Sequence, residues 1–377
     1  MKKIAFNMTS ASHGGGFKTY NDNILLRLLK DNNRETTYYI FVNDKNIVNK
    51  NKNVQIIYVS KLFSRTIPRI IWMQLILPFY LIFKKIDIFF SPMNILPILF
   101  PLSKIKTILV IHSNLPWLFP DDSPGSKIKK TLQRVLLNQS INMADKIIVD
   151  SNNAKDELLS LFNNINEKVI SIYLGVDFNF FRKRNNKISQ SDLKGITSPY
   201  FLTISSAVKY HCLIELITAY ENLCHEFDDI PNYVILSKNL DNKYFELMIE
   251  KIKLSKYKNK IKLIEDINKE AIPSLYNNAS LYIFSSYCEV FGLTNLEAMY
   301  SAIPVITSDR SSLPEICGDA AIYTNPKDPI DIKNKMIRLF FNEELKAKMI
   351  NKGFKNVEKF SWDNTFEQTL KVVSSIY

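Results

Sequence analysis

Cysteine and histidine are scarce in this chain. Its 377 residues hold four of each. The cysteines, Cys212, Cys224, Cys288 and Cys317, fall in no zinc-ligand spacing. A disulfide scaffold and a structural zinc site are thereby excluded as the organising principle. Long apolar runs are missing too. The richest stretch, residues 70–83, stops short of the ~20 residues a spanning helix needs, and Pro78 interrupts it. After Met1-Lys2-Lys3 only Ile4-Ala5-Phe6 is apolar, too short for the core of a secretory signal. The sequence therefore reads as cytoplasmic, with reduced thiols. No Asp-x-Asp pair stands at an expected strand end to hold a divalent ion. Asp121-Asp122 and Asp228-Asp229 lie in polar, loop-like stretches and read as solvated.

The residues present are those of a globular protein, 46% hydrophobic and 23% charged. The length suits two domains. The formal charge is +12, and it is uneven: residues 1–190 hold 27 Lys and Arg against 13 Asp and Glu, the remainder 22 against 24. Such an excess points to an anionic partner: nucleic acid, a membrane surface or a phosphorylated ligand. No nucleic-acid-binding module is recognisable and the cations are not interleaved with aromatics, so nucleic acid is not expected. The apolar stretch 70–83 is bracketed by Lys61, Arg65, Arg69, Lys84 and Lys85. Two readings stand: a segment lying on an anionic bilayer, or a core-packed helix with solvated ends.

Strand-like and helix-like segments alternate along the chain. Strands are expected at 3–8, 38–42, 54–59, 86–90, 107–112, 146–150 and 169–173, with helices at 20–30, 126–143 and 152–161, the last capped by Ser151. Residues 182–198 are polar and aperiodic and read as a linker. The alternation then restarts. Strands are expected at 200–205, 233–237, 261–263, 281–284 and 305–307; helices at 214–223, 244–254, 272–278, 293–300, 330–341, 343–357 and 362–375. Two such runs predict an α/β protein of two doubly wound, Rossmann-like domains, with a ligand at the carboxyl ends of strands in an interdomain cleft. The expected boundaries are 1–185, a linker at 186–198, 199–360, and a terminal helix at 361–377.

The sharpest motif is Ser285-Ser286-Tyr287-Cys288-Glu289-Val290-Phe291-Gly292-Leu293-Thr294-Asn295-Leu296-Glu297-Ala298-Met299. A strand runs into a glycine-containing loop and then a helix. Amides at Phe291, Gly292 and Leu293 would form an anion site at the helix mouth. Glu289 and Glu297, with seven residues between them, flank that mouth. Carboxylates accept hydrogen bonds from sugar hydroxyls, so a pair around a phosphate pocket suits a hydroxyl-rich ligand. The bland alternative is a helix start carrying incidental acids.

This block resembles the signature of the retaining nucleotide-sugar glycosyltransferases of family 4, which have the GT-B fold. Ser301-Ala302-Ile303-Pro304-Val305-Ile306 and Ser311-Ser312-Leu313-Pro314-Glu315 follow at the family's offsets. Upstream, residues 144–151, Leu174-Gly175-Val176-Asp177 and the terminal Phe360-Ser361-Trp362 are similar to family segments, so the resemblance covers nearly the whole chain. It implies an acceptor-binding first domain, a donor-binding second domain and a final helix crossing back to the first.

The resemblance also implies roles. Glu289 would contact the donor sugar hydroxyls and Glu297 the ribose. Phe291, Gly292, Leu293 and Thr294 would hold the diphosphate. Gly14-Gly15-Gly16 matches the family's first glycine loop, near phosphate and acceptor, and His112 its histidine near the transferred sugar. Ser206 and His211 stand where the family carries an Arg and a Lys that grip the diphosphate. Lys209 is offered as a substitute point charge, and His211 when protonated. Val290 and Ala302 stand where glycines are usual.

The reading is a metal-independent, cofactor-free hexosyl or deoxyhexosyl transferase. It would use a nucleotide-sugar donor and a lipid-linked or glycan acceptor in O-antigen, capsule or exopolysaccharide synthesis, peripherally at the inner face of the plasma membrane. The alternative is a nucleotide-sugar-binding subunit that has lost catalysis. Glycoside hydrolysis is disfavoured, because its two carboxylates must flank a glycosidic bond rather than a phosphate pocket.

Overall fold

Parallel strands with short β-branched and aromatic runs must be covered on both faces, and the helices between them do the covering. The computed structural model describes residues 2–9, 15–31, 33–99, 104–123, 125–181 and 196–376. Most of the linker expectation, and Gly14, lie outside the described residues.

The described chain groups into two compact units. The first comprises Met1–Leu118, Lys127–Gly175 and Trp362–Tyr377, the second Phe119–Ser126 and Val176–Ser361. The first unit holds β1 Lys2–Asn7, β2 Thr36–Val42, β3 Val54–Tyr58, β4 Ile88–Ser91, β5 Lys106–Ile111, β6 Lys146–Val149 and β7 Val169–Ser171. They form one parallel sheet in the order β3-β2-β1-β4-β5-β6-β7. The second unit holds β8 Tyr200–Ala207, β9 Asn232–Asn239, β10 Ile261–Ile264, β11 Ala279–Phe284, β12 Val305–Ser308 and β13 Ala321–Thr324. Their order is β10-β9-β8-β11-β12-β13. Each sheet is doubly wound, reversing its strand order between β1 and β4 and between β8 and β11. Ligands in such sheets bind beyond the carboxyl ends at that reversal.

The sequence misses β13. Its four residues, between Gly318-Asp319-Ala320 and Asn325-Pro326, are too few to show a period, and pairing with β12 makes the strand. The units also interleave in sequence. Val176–Phe181 belong to the second, through the parallel bridge Val176–Ser361 and the Phe178 ring 4.9 Å from Tyr300. Helix Trp362–Ser375 packs in the first: Asp363 accepts from Arg27 Nε at 2.7 Å, and Thr365 Oγ1 donates to Tyr173 O at 2.7 Å.

Residues 66–83 are helical, but through three segments: Thr66–Ile71, one π-turn Trp72–Ile76, and Leu77–Phe83. Pro78 offers no N–H to the Gln74 carbonyl, and a local π-turn is one way a helix absorbs that loss. Trp72, Met73, Leu77 and Leu81 are buried, whereas Ile67, Ile71, Phe79 and Phe83 are exposed, Phe83 by 81%. The segment is therefore core-packed on one side and apolar on its exposed side as well. Among the described residues no helix is long and apolar enough to cross a membrane.

Helix Leu293–Tyr300 ends in paired backbone bonds, Ala302 N–H to Met299 O and Ile303 N–H to Ala298 O, both at 3.1 Å. This is the Schellman arrangement, whose closing position calls for left-handed backbone. Ala302 fills it at φ 62°, which explains why a glycine is usual there. Ala302→Gly is expected to raise stability by about 0.5–1 kcal/mol, seen as a higher urea midpoint; a lower one would count against the strain.

Candidate functional site

β8 ends at Ala207 and β11 at Phe284, on either side of the reversal in the second sheet. Beyond β8 the chain makes a single tight turn, Lys209–His211, before helix Leu213–Glu226. Beyond β11 the segment Ser285–Gly292 leads to helix Leu293–Tyr300. Gly292 caps that helix at φ 85°, and a Cβ there would meet Leu313 Cδ2 at 2.5 Å. Glycine is thus favoured by the backbone conformation, and a Cβ there would also push the Leu313 side chain aside. The first-turn amides of Leu293 and Thr294 have no preceding helical carbonyl to bond. No acidic side chain occupies that turn.

The two loops bring Glu289 and His211 together, Oε1 to Nε2 at 3.0 Å, with both side chains mostly buried. His211 Nδ1 lies 2.7 Å from the Ser206 carbonyl. A carbonyl only accepts, so Nδ1 carries hydrogen. One proton then lies between Nε2 and Oε1, and the pair is neutral overall in either arrangement. His211 therefore does not bring a free positive charge to a diphosphate. The Glu289 backbone is clamped separately: Ser311 and Ser312 hydroxyls donate to its carbonyl at 2.6 and 2.8 Å, and its N–H donates to Ser311 Oγ at 3.1 Å.

Lys209 is also engaged. Its Nζ donates to Asp122 Oδ1 at 2.7 Å, and Tyr287 OH donates to Asp122 Oδ2 at 2.6 Å. Phe119, in the same segment as Asp122, packs its ring 4.9 Å from Tyr287. Burial acts to raise the Asp122 carboxyl, but the bonds from Lys209 and Tyr287 outweigh it and hold it below the usual range. Asp122 is a bonded, mostly buried group, not the solvated loop acid its sequence context suggests. Lys327, which the sequence reading does not single out, sits 4.4 Å from the Tyr287 ring centre. It enters the site from the loop after the unforeseen strand β13, so missing the strand meant missing the cation.

Glu297 lies inside helix Leu293–Tyr300 and accepts from Tyr276 OH at 2.9 Å. Desolvation dominates its environment, reinforced by the charge of Asp177. It pushes the carboxyl up to about 7 despite the Tyr276 bond and Lys269, which favour the ion. Phe291 turns its ring into the core, 5.6 Å from Phe360 and almost fully buried. Only its backbone is placed to serve a ligand.

In the first unit, His112 follows β5. Its Nδ1 lies 2.8 Å from Asp150 Oδ2, and its backbone N–H donates to Asn94 Oδ1 at 2.7 Å. Gly15, at φ 91°, and Gly16 open helix Gly16–Leu28, with open space where a Cβ would stand. Among the described residues no three His, Cys, Asp or Glu side chains gather as a metal site would require.

The profile described as Glycosyltransferase Family 4 matches residues 14–180, and that described as Glycosyl transferases group 1 matches residues 184–356. An O-antigen chain mannosyltransferase B of Escherichia coli is 21% identical over 70% of this chain and 69% of its own length. An O-antigen chain mannosyltransferase of Salmonella typhimurium is 26% identical over 60% of this chain, a match spanning 59% of that protein. Among solved structures, the sucrose-phosphate synthase of Thermosynechococcus elongatus superposes with a TM-score of 0.75 at 14% identity, covering 100% of this chain and 99% of its own. The Anabaena protein HepE, solved with UDP-glucose, gives 0.74 at 15% identity with full coverage of both chains. At these identities the structures establish the shared GT-B fold.

Proposed function

The chain belongs to the family 4 glycosyltransferases, and from that premise we propose that it moves a hexose, mannose first among the candidates, from a nucleotide-sugar to a lipid-linked glycan acceptor in the synthesis of an O-antigen or related surface polysaccharide. One observation carries the reading. Glu289, held by its backbone, and a glycine-capped helix mouth stand together at the reversal of the second sheet. In this reading Glu289 orients the donor sugar, Glu297 accepts from the ribose hydroxyls, and the amides from Phe291 to Thr294 take the diphosphate.

Departure of the nucleoside diphosphate builds negative charge on its β-phosphate. Preorganised helix-terminal amides stabilise such charge without a metal ion. The acceptor oxygen attacks from the leaving-group face, with retention of configuration. In the same reading His112 serves the transferred sugar, and Gly15 and Gly16 serve phosphate and acceptor.

The test is transfer from a panel of nucleotide-sugars, nucleotide-activated mannose and UDP-glucose included, to lipid-diphosphate-linked glycans. Transfer supports the reading. Donor binding without transfer across the panel overturns it in favour of a binding subunit that has lost catalysis. The observation favouring that second reading is that Lys209 and His211 both bond carboxylates.

Membrane contact belongs to the same proposal. The exposed apolar side chains of residues 66–83, beside Lys61, Arg65, Arg69, Lys84 and Lys85, suit the surface of an anionic bilayer. Co-flotation with phosphatidylglycerol vesicles is expected, weakening as salt is raised. Ile67→Ser with Phe83→Ser is expected to weaken it at least ~10-fold, by removing buried apolar area. Flotation unaltered by either treatment counts against the contact.

A further inference from the structure

We propose that an open cavity at the carboxyl ends of β2 and β3 seats the acceptor's lipid: the cavity takes a single hydrocarbon chain, and Arg69 takes the phosphate that the chain carries. The proposal rests on the lipid-linked reading given above for what the lipid is, but the cavity and its charges do not.

One stretch of sequence supplies both halves of this chemistry. From Lys45 to Ile86 there is no Asp or Glu, against eight Lys and Arg. The same stretch folds into β3 and the helical residues 66–83, which with Phe41 of β2 surround a cavity of about 180 Å³. Its wall is apolar and mostly aromatic, with Phe41, Ile57, Phe63, Trp72, Leu77 and Tyr80 among the lining side chains. Phe41 meets the Trp72 and Tyr80 rings edge-on, with centroids 5.5 and 5.2 Å away. Such packing holds the rings apart, so the space between them does not simply collapse. Ile76, also on the lining, is exposed and stands at the open side. The wall carries the π-turn Trp72–Ile76, an irregularity frequent at functional sites.

Size selects the chain. An apolar cavity of ~150 Å³ takes benzene, so this one has room for a segment of about six carbons. That is one chain, not two side by side. The fitting ligand is therefore a single-chain lipid rather than a two-chain lipid of the bilayer.

Charge selects the head. Arg69 lies one helical turn before Trp72, on the same stripe of the helix. Burial lowers its guanidinium from the usual range, and no acidic group offsets that. Among the described residues it makes no ion pair. A partly desolvated cation without a counter-charge is completed by an anion, and a guanidinium fork matches phosphate. Beyond the other end of the stripe, Lys84 Nζ lies 5.8 Å from the Tyr80 ring centre, so that end is cationic as well. A free phosphate leaves the cavity unfilled, and a neutral hydrocarbon leaves Arg69 uncompensated. A phosphate on one apolar chain answers both.

The experiment has two arms on the full chain. The first is binding of geranyl phosphate, a single-chain lipid phosphate, measured by calorimetry and by tryptophan emission. Expected is binding that alters the emission, with the change lost in Trp72→Phe; there are only three tryptophans to separate. Ile76→Trp, which fills the cavity from its exposed side, is expected to weaken binding at least ~10-fold. Arg69→Gln is expected to weaken it about 10-fold while leaving binding of uncharged geraniol unaltered. No binding, or affinity unaltered in Ile76→Trp, overturns the proposal. Equal affinity for dihexanoyl phosphatidylglycerol overturns the single-chain assignment and gives the cavity to bilayer lipid. This arm needs no activity, and its first measurement needs no variant to fold.

The second arm is kinetic. Ile76→Trp is expected to raise KM for the lipid-linked acceptor about 10-fold, with KM for the nucleotide-sugar unaltered. Geranyl phosphate binding with an unaltered acceptor KM overturns the role toward the acceptor. If no donor supports transfer in the unaltered protein, the functional reading fails while the binding arm still decides what the cavity takes.

Discussion

Glu289→Gln is expected to slow sugar transfer about 10²–10³-fold, the size of effect seen when one preorganised polar group is lost from an active site. The structure makes this a clean substitution. What fixes residue 289 is its backbone, held by Ser311 and Ser312, and the amide side chain matches the carboxylate in shape. What changes is the charge and the proton shared with His211 at 3.0 Å. A glutamine oxygen still accepts from Nε2–H, so the imidazole becomes an uncompensated cation or gives up its proton. Either way a sugar oriented by Glu289, as proposed, would lose a strong acceptor. Steady-state transfer assays with each candidate donor, beside a melting curve to verify folding, measure the effect. Undiminished turnover in the variant would remove Glu289 from the donor site.

A second large effect is expected at Glu297, and it has opposite signs for stability and binding. Burial raises this carboxyl from 4.5 to about 7. The folded chain therefore holds the proton more tightly than the unfolded chain does. The stability so gained is complete below the unfolded value and is lost as pH rises through about 7. The span corresponds to about 3 kcal/mol. Glu297→Gln keeps an acceptor for Tyr276 OH but cannot ionise, so it should not show that decline. At pH 8 the variant is expected to be more stable than the unaltered protein by up to about 3 kcal/mol, with the difference shrinking below about 1 kcal/mol at pH 5 and vanishing beneath the unfolded value of 4.5. Nucleotide affinity should move the other way. Losing a charged acceptor for ribose hydroxyls weakens binding by roughly 10- to 100-fold, and in the unaltered protein affinity should fall as pH drops through about 7. Urea unfolding at the two pH values and calorimetric titration with nucleoside diphosphates test both halves. Equal stability differences at both pH values would show that residue 297 does not titrate near neutrality.

The two effects together describe a common compromise. A carboxylate kept partly desolvated for a ligand weakens the empty protein. Ala302 at φ 62° is a smaller instance of strain in the same helix.

Much of the architecture is legible in the residues. Alternating strand and helix patterns, the Ser151 cap that accepts from Ala154 N–H at 3.0 Å, and the turn at Gly292 are local signals. Each depends on side chains a few positions apart. β13 is not legible, because four residues carry no period and the strand exists only through its neighbour. The site is legible in its positions and not in its contacts. Glu289 and His211 are 78 residues apart, and Lys209 and Asp122 are 87. Nothing near either residue in sequence announces the other. Asp150 reads as the end of a strand until the register of β5 against β6 sets it beside His112.

By itself, then, the sequence determined the two doubly wound sheets, the family, and the helix mouth with its flanking carboxylates. These follow from short-range periodicity and from the conformational demand of one glycine. The tertiary structure decided the electrical state of the site. It paired His211 with Glu289, tied Lys209 to Asp122, lifted Glu297 toward 7 and set His112 against Asp150. Charge and protonation depend on which groups are neighbours and on how much water is removed. Both are fixed only when strands distant in sequence lie side by side.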